Sequence, residues 1–146
     1  MRVVIQRVKE AEVKVAGEIK GCIAEGLLIF LGVAKDDNSA SADYLLKKIT
    51  ELRIFEDAQG KMNVSPQDAG AQYLVVSQFT LYGNCDKGRR PSFDEAADPV
   101  KGEELYNYFV TQLKLTKFVV ETGQFRADME VSLINDGPVT FIIDSK

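Results

Sequence analysis

The apolar positions of this chain change period several times, and each change marks an element. Val3-Val4-Ile5 opens a strand. Val13 and Val15 alternate around Lys14, and Ala16-Gly17 marks a turn into Ile19. Leu27 to Val33 is a continuous apolar run, short enough for a strand buried on both faces. Asp37-Asn38-Ser39 then offers N-cap chemistry, and Ala42, Leu45, Leu46, Ile49 and Leu52 follow at helical spacing. Arg53-Ile54-Phe55 and Lys61 to Val64 flank a turn at Asp57 to Gly60 and read as a hairpin. Tyr73 to Thr80 reads as the next strand. Residues 82 to 98 form one long irregular segment, a length usually reserved for functional or disordered loops. Asp98-Pro99 opens a second helix as N-cap and first residue, with Leu105, Phe109 and Leu113 on one face. Glu103 and Glu104 near its start and Lys114 at its end complement the helix dipole. A strand around Phe118-Val119-Val120 precedes a terminal pair, Val131 to Ile134 and Val139 to Ile143, joined by Asn135-Asp136-Gly137-Pro138.

This order predicts an α+β fold: one domain over residues 1 to 146, with a mostly antiparallel, barrel-like sheet and two main helices. Two helices give little cover for so many apolar strands, so a homodimer that completes the packing is expected. The terminal pair holds the most informative residue. Asp136-Gly137 alone is a hairpin signal, but Pro138 removes a backbone donor where the second strand begins. The tip is therefore either a plain turn or a rigid backbone device pointing out of the sheet.

Composition narrows the chemistry. The chain has 146 residues, 45% of them hydrophobic, enough for a real core. No apolar run approaches the roughly 20 residues that span a bilayer, and the N-terminus is too short and polar for a signal peptide, so the expected compartment is the cytoplasm. The net charge is -4, which argues against binding nucleic acid by bulk electrostatics. A local basic patch at Lys87, Arg89 and Arg90 remains compatible with a phosphate backbone. Cys22 and Cys85 form neither a zinc pattern nor a redox pair and read as buried or half-buried thiols. There is no histidine at all. That excludes a Ser-His-Asp triad, a Cys-His pair and any imidazole base. An enzyme built on this chain works by carboxylate, lysine, hydroxyl, backbone amide or its substrate's own groups.

Three segments carry candidate chemistry. Ser77-Gln78-Phe79-Thr80 ends a buried strand, where side chains and departing backbone amides can meet a ligand or an oxyanion. The competing reading is a polar strand edge facing solvent, and without histidine nothing activates Thr80 as a nucleophile. Gly88 to Phe93 is basic, kinked and aromatic; it suits a phosphate or a single-stranded nucleic-acid end, or is a solvated charged loop. Gly123 to Met129 reads as turn plus core, with Asp128 placed to pair with Arg126 or Arg7. The carboxylate pairs Glu103-Glu104 and Asp36-Asp37 are accounted for by helix starts.

Taken together, the segments resemble the D-aminoacyl-tRNA deacylase family, often called DTD. The likeness covers essentially the whole chain: Ile5-Gln6-Arg7-Val8, Phe55-Glu56-Asp57 with Gly60-Lys61-Met62-Asn63, Val75 to Leu81, Arg90-Pro91-Ser92-Phe93, Ala127-Asp128-Met129, and Asn135 to Thr140. The Ser-Gln-x-Thr and Asn-x-Gly-Pro-x-Thr segments are the family's two signatures. The resemblance implies a homodimer with active sites at the interface. It implies hydrolysis of the ester joining a D-amino acid, or glycine, to the terminal adenosine of tRNA, with no metal and no cofactor. Gly137-Pro138 matches the family's Gly-cisPro motif, which enters the partner's pocket and rejects L-amino acids. Ser77, Gln78, Phe79 and Thr80 match the pocket floor, Phe125 and Met129 its surroundings, and Arg7 a brace for the tip. Two other readings stay open: a non-catalytic dimer binding a tRNA end or a small molecule, and an esterase using Thr80 or Ser77.

Overall fold

The computed structural model describes all 146 residues. Its framework is β1 (Arg2–Val15), which has a pairing partner along both edges. On one edge the chain turns at Ala16-Gly17 and returns antiparallel as β2 (Glu18–Ile23) against residues 11–15, then as β3 (Gly26–Gly32) against residues 2–8. β6 (Gln72–Ser77) joins β3 in parallel, and β7 (Val120–Thr122) joins β6 in parallel. The sheet curls until β2 reaches β7: a Cβ added to Gly21 would lie 2.7 Å from the carbonyl of Thr122. Only glycine permits that near-closure.

The helices are α1 (Ser39–Glu51) and α3 (Pro99–Lys114), with a four-residue α2 (Pro66–Ala69) that periodicity does not reveal. Asn38 caps α1 through the amides of Ala40 and Ser41, and Asp98 caps α3 through Val100 and Lys101. Asp98 supplies the negative charge at the start of α3, because Glu103 and Glu104 fall beyond its first turn. The hairpin of β4 (Phe55–Glu56) and β5 (Met62–Val64) stands apart from the main sheet. No helix is long and apolar enough to cross a membrane.

Two cores share the same strands. Val3, Ile5, Leu27, Ile29, Tyr73 and Val75 pack beneath Leu45, Ile49, Leu105, Phe109 and Leu113 of the helices. Leu28, Leu74 and Val76 point the other way, into the curl, where Val8, Ala11, Val13 and Ile23 meet them. The unbroken apolar runs of β3 and β6 thus reflect burial on both faces. β1 serves both cores because an extra residue at Lys9 breaks its ladder between Val8 and Glu10 and turns its second half over.

Three expectations fail, each for a local reason. Val131 to Ile143 is not a hairpin: Glu130–Asp144 is one strand, β8, antiparallel to β1 along its length. Both apolar stretches are halves of the same edge strand, and the turn residues between them signal extrusion rather than reversal. The strand from Tyr73 ends at Ser77, and Phe79–Tyr82 forms a 3-10 turn closed by Leu81 N–H to the Gln78 carbonyl at 3.2 Å. Cys22 and Cys85 are both exposed, Cys22 because it lies between the inward-facing Gly21 and Ile23 on β2.

Candidate active site

The end of β6, the start of α3 and the turn at residues 124–129 enclose a cleft of about 500 Å³. Its floor is Leu31, Val33, Val76 and Ser77, where both cores come to the surface. Tyr106 forms a wall and donates its hydroxyl to the Val75 carbonyl at 2.9 Å. Burial pushes that phenol up to about 12, so it stays a neutral donor at any working pH. Phe125 packs on the Tyr106 ring with centroids 5.8 Å apart. Gly102 faces the same ring: a Cβ at that position would meet only Phe125, at 3.5 Å, an ordinary contact. On the far side Met129 occupies the space over Gly123, where a Cβ would be 2.6 Å from its sulfur.

Of the residues expected at a pocket floor, Ser77, Gln78 and Phe79 line this cleft, as do Phe125 and Met129. Thr80 does not; its hydroxyl is engaged by the Gln78 side-chain amide. The Gln78 backbone N–H is also committed, to the Leu31 carbonyl at 2.8 Å. The amides of Phe79 and Thr80 precede the first internal bond of the 3-10 turn and are not used by it, and of the two residues Phe79 lines the cleft. The turn is held from below by Arg2, which donates to the Leu81 carbonyl at 3.2 Å, forks onto Asp144 and stacks over Tyr82.

Phe79 is 59% exposed, and its ring meets Phe93 with centroids 5.0 Å apart. Phe93 follows a loop pinched shut by paired bonds between Asn84 and Ser92, at 2.8 and 2.9 Å. Lys87, Arg89 and Arg90 stand exposed on that loop, outside the cleft. The aromatic contact makes loop and cleft neighbours.

Arg7, Gly137 and Pro138 lie elsewhere. Opposite β1, the ladder jumps from Val8–Asn135 to Gln6–Thr140, and residues 136–139 leave the sheet as a protrusion. Gly137 and Pro138 are exposed at its tip, joined by a cis peptide bond, and lie outside the cleft at Ser77 to Phe79. Arg7 lies beneath, only 6% exposed. Its Nε donates to the Asp136 carbonyl at 3.0 Å and lies 3.2 Å from the Asp136 carboxylate; its Nη1 donates to the Ile54 carbonyl at 2.6 Å, and its Nη2 reaches Glu56 at 3.5 Å. Asp128 therefore has no claim on Arg7. Asn135, Glu56 and Tyr106 are structural members of these two places to which sequence reasoning gives no role, although Asn135 and Glu56 lie in segments that carry the resemblance. Their signal is three-dimensional, apart from the neighbourhood of Asn135 to the Gly-Pro pair.

An apolar cleft with backbone donors at its mouth, on a curled sheet with an extruded Gly-Pro tip, places the chain in a defined class. Residues 4–144 match the family model described as D-Tyr-tRNA(Tyr) deacylase, and the chain belongs to that family. It is 58% identical to a D-aminoacyl-tRNA deacylase of Desulfatibacillum aliphaticivorans over 146 residues, the whole of both chains. It is 56% identical to the protein of the same name from Thermosipho africanus, over all of this chain and 98% of the relative. Among solved structures, the one titled c-Myc DNA Unwinding Element Binding Protein superposes with a TM-score of 0.93 at 37% identity, covering 100% of this chain and 99% of that one.

Proposed function

We propose that the chain hydrolyses the ester between a D-amino acid, or glycine, and the 3′-terminal adenosine of tRNA, releasing the free amino acid and reusable tRNA. The observation that carries this is the pairing of a ready-made cleft at Ser77 to Phe79 with an exposed Gly137-Pro138 tip that lies outside that cleft in its own chain. The tip acts in a second copy's cleft. There its main-chain carbonyls hold the substrate's amino group and leave no room for an L side chain. A carbonyl set against the α-carbon reads handedness without reading side-chain identity.

The chemistry needs little from side chains. An aminoacyl ester is already activated, and water attacks its carbonyl carbon. The Phe79 and Thr80 amides stabilise the oxyanion that forms. The ribose 2′-hydroxyl positions the water, and collapse breaks the bond to the 3′-oxygen, which leaves with a proton. Phe125 and Met129 border the adenosine, and Lys87, Arg89 and Arg90 meet the phosphates of the acceptor end.

The sheet supports a homodimer. β8 is an edge strand of 15 residues with a free ladder edge, and it exposes Ile134, Phe141 and Ile142, the last at 68%. Edges of this kind are covered in stable proteins. A second copy would cover it and bring a tip to each cleft.

The deciding assay compares release from D-tyrosyl-tRNA and L-tyrosyl-tRNA. Rapid release from the D form alone is expected; tight binding without turnover indicates a binding module instead. The cross-subunit arrangement is tested by mixing two inactive variants, Gly137→Ala and a cleft-filling Gly102→Trp. Random re-pairing gives about a quarter of wild-type activity if the tip works in the other subunit, and none if it works in its own.

A further inference from the structure

We propose that Asn135 is the positioning residue that fixes the Gly137-Pro138 tip, by clamping both ends of the extrusion with one side-chain amide. The inference rests on the tip having the selective role given above.

Where residues 136–139 leave the ladder, β1 loses its partner opposite Arg7. A strand carbonyl that loses its partner in a half-buried place is costly unless another donor arrives. Asn135 supplies it: its Nδ2 donates to the Arg7 carbonyl at 2.9 Å. The same nitrogen donates to the Val139 carbonyl at 3.0 Å, where the chain re-enters β8. An amide nitrogen carries two protons, and both are spent here. The residue where the chain departs thereby grips the residue where it returns. Val139, only 5% exposed, anchors the returning end in the protein.

The amide oxygen also constrains the tip. A Cβ on Gly137 would lie 2.5 Å from Asn135 Oδ1. Asn135 therefore closes the loop from below and limits what can stand at position 137. Arg7 holds Asp136 from the side, while the Asn135 amide is the side chain that ties residue 139 back to the departure point. Aspartate cannot replace the clamp: it is the same size, yet when ionised it is acceptor-only and would face two carbonyl oxygens. Serine keeps one donor of the two.

The test compares wild type with Asn135→Asp, Asn135→Ala and Asn135→Ser in the full-length protein. D- and L-tyrosyl-tRNA hydrolysis are measured beside hydrogen exchange of residues 136–139. The ratio of D to L rates is the decisive readout, because a smaller folded fraction lowers both rates equally and leaves the ratio unchanged. Losing the clamp is expected to lower the D rate and the ratio about tenfold to a hundredfold in Asn135→Asp, less in Asn135→Ser, with faster exchange at the tip. An unchanged ratio with wild-type exchange in Asn135→Asp and Asn135→Ala overturns the proposal, and so does an equal fall of both rates. If the wild type itself releases neither amino acid, the deacylase reading fails, and the exchange data alone then decide whether the clamp exists.

Discussion

The cleft at the end of β6 and the tip extruded from β8 are built in opposite ways. The cleft is concave, walled by aromatic and aliphatic side chains, and shaped by packing; Gly123 makes room for Met129. The tip is convex and exposed, and it is held by hydrogen bonds from Arg7 and Asn135 to backbone carbonyls. Packing tolerates small changes of volume, whereas a hydrogen-bonded backbone loop has one geometry or loses it. Under the proposed function, the cleft would accept many amino-acid side chains while a second copy's tip accepts one handedness. The two regions should therefore respond differently to the same kind of substitution.

The largest expected effect is at the tip. A Cβ on Gly137 would lie 2.2 Å from the Val139 nitrogen, a backbone atom that cannot step aside. Gly137→Ala is expected to reduce D-tyrosyl-tRNA hydrolysis by about a hundredfold or more, while thermal unfolding, which reports the two distant cores, moves little. Wild-type activity in this variant would break the comparison. Arg7→Lys comes next. Lysine keeps the charge but not the fork, so the Ile54 and Asp136 carbonyls cannot both be served. Stability should fall by about 1.5–3 kcal/mol in urea titrations, and the D-to-L ratio should fall with it. A loss of stability with the ratio intact would show that Arg7 supports the hairpin at Ile54 and not the tip.

Thr80→Ala should matter less. The hydroxyl meets Gln78 rather than the cleft, while the Thr80 amide survives the substitution. Activity should remain within about tenfold of wild type. Complete loss in a folded variant would move the mechanism from the backbone to a covalent Thr80 intermediate.

How much was legible in the sequence follows the same division. The cleft could be read in large part. Its floor ends a strand whose unbroken apolar run advertises burial on both faces, and Ser77-Gln78 marks where that burial stops. Phe125 and Met129 were expected beside it through the family resemblance, not through their spacing. The flanking strands read as a hairpin because apolar alternation reports that two stretches are strands, not whether they pair with each other; of the two readings of the tip, the protrusion agrees with a backbone device pointing out of the sheet. Both halves of β8 pair with β1, a contact across about 130 positions that no local pattern records. Arg7 as a brace came from resemblance; its grip on Ile54 and Glu56 depends on a hairpin 47 positions away. The end of β6 at Ser77 was missed because the 3-10 turn that follows is stabilised by Arg2 from another strand, against the local preference of Phe79-Thr80-Leu81 to extend.

The smallest prediction is the sharpest contrast, because it repeats the glycine-to-alanine change in the other region. Gly102 lies within α3, where its N–H donates to the Asp98 carbonyl at 2.9 Å. Glycine inside a helix is less stable than alanine by roughly 0.5–1 kcal/mol, since it loses more chain entropy on folding. An added Cβ would touch only the Phe125 ring, at 3.5 Å, an ordinary contact with a side chain that can shift. Gly102→Ala is therefore expected to stabilise the protein by about that amount, raising Tm by about 2–3 °C, with D-tyrosyl-tRNA hydrolysis within about threefold of wild type. If Gly102→Ala instead abolishes activity as Gly137→Ala does, the cleft wall is as rigid as the tip. The proposed selectivity would then belong to the closed shape of the cleft as much as to the tip.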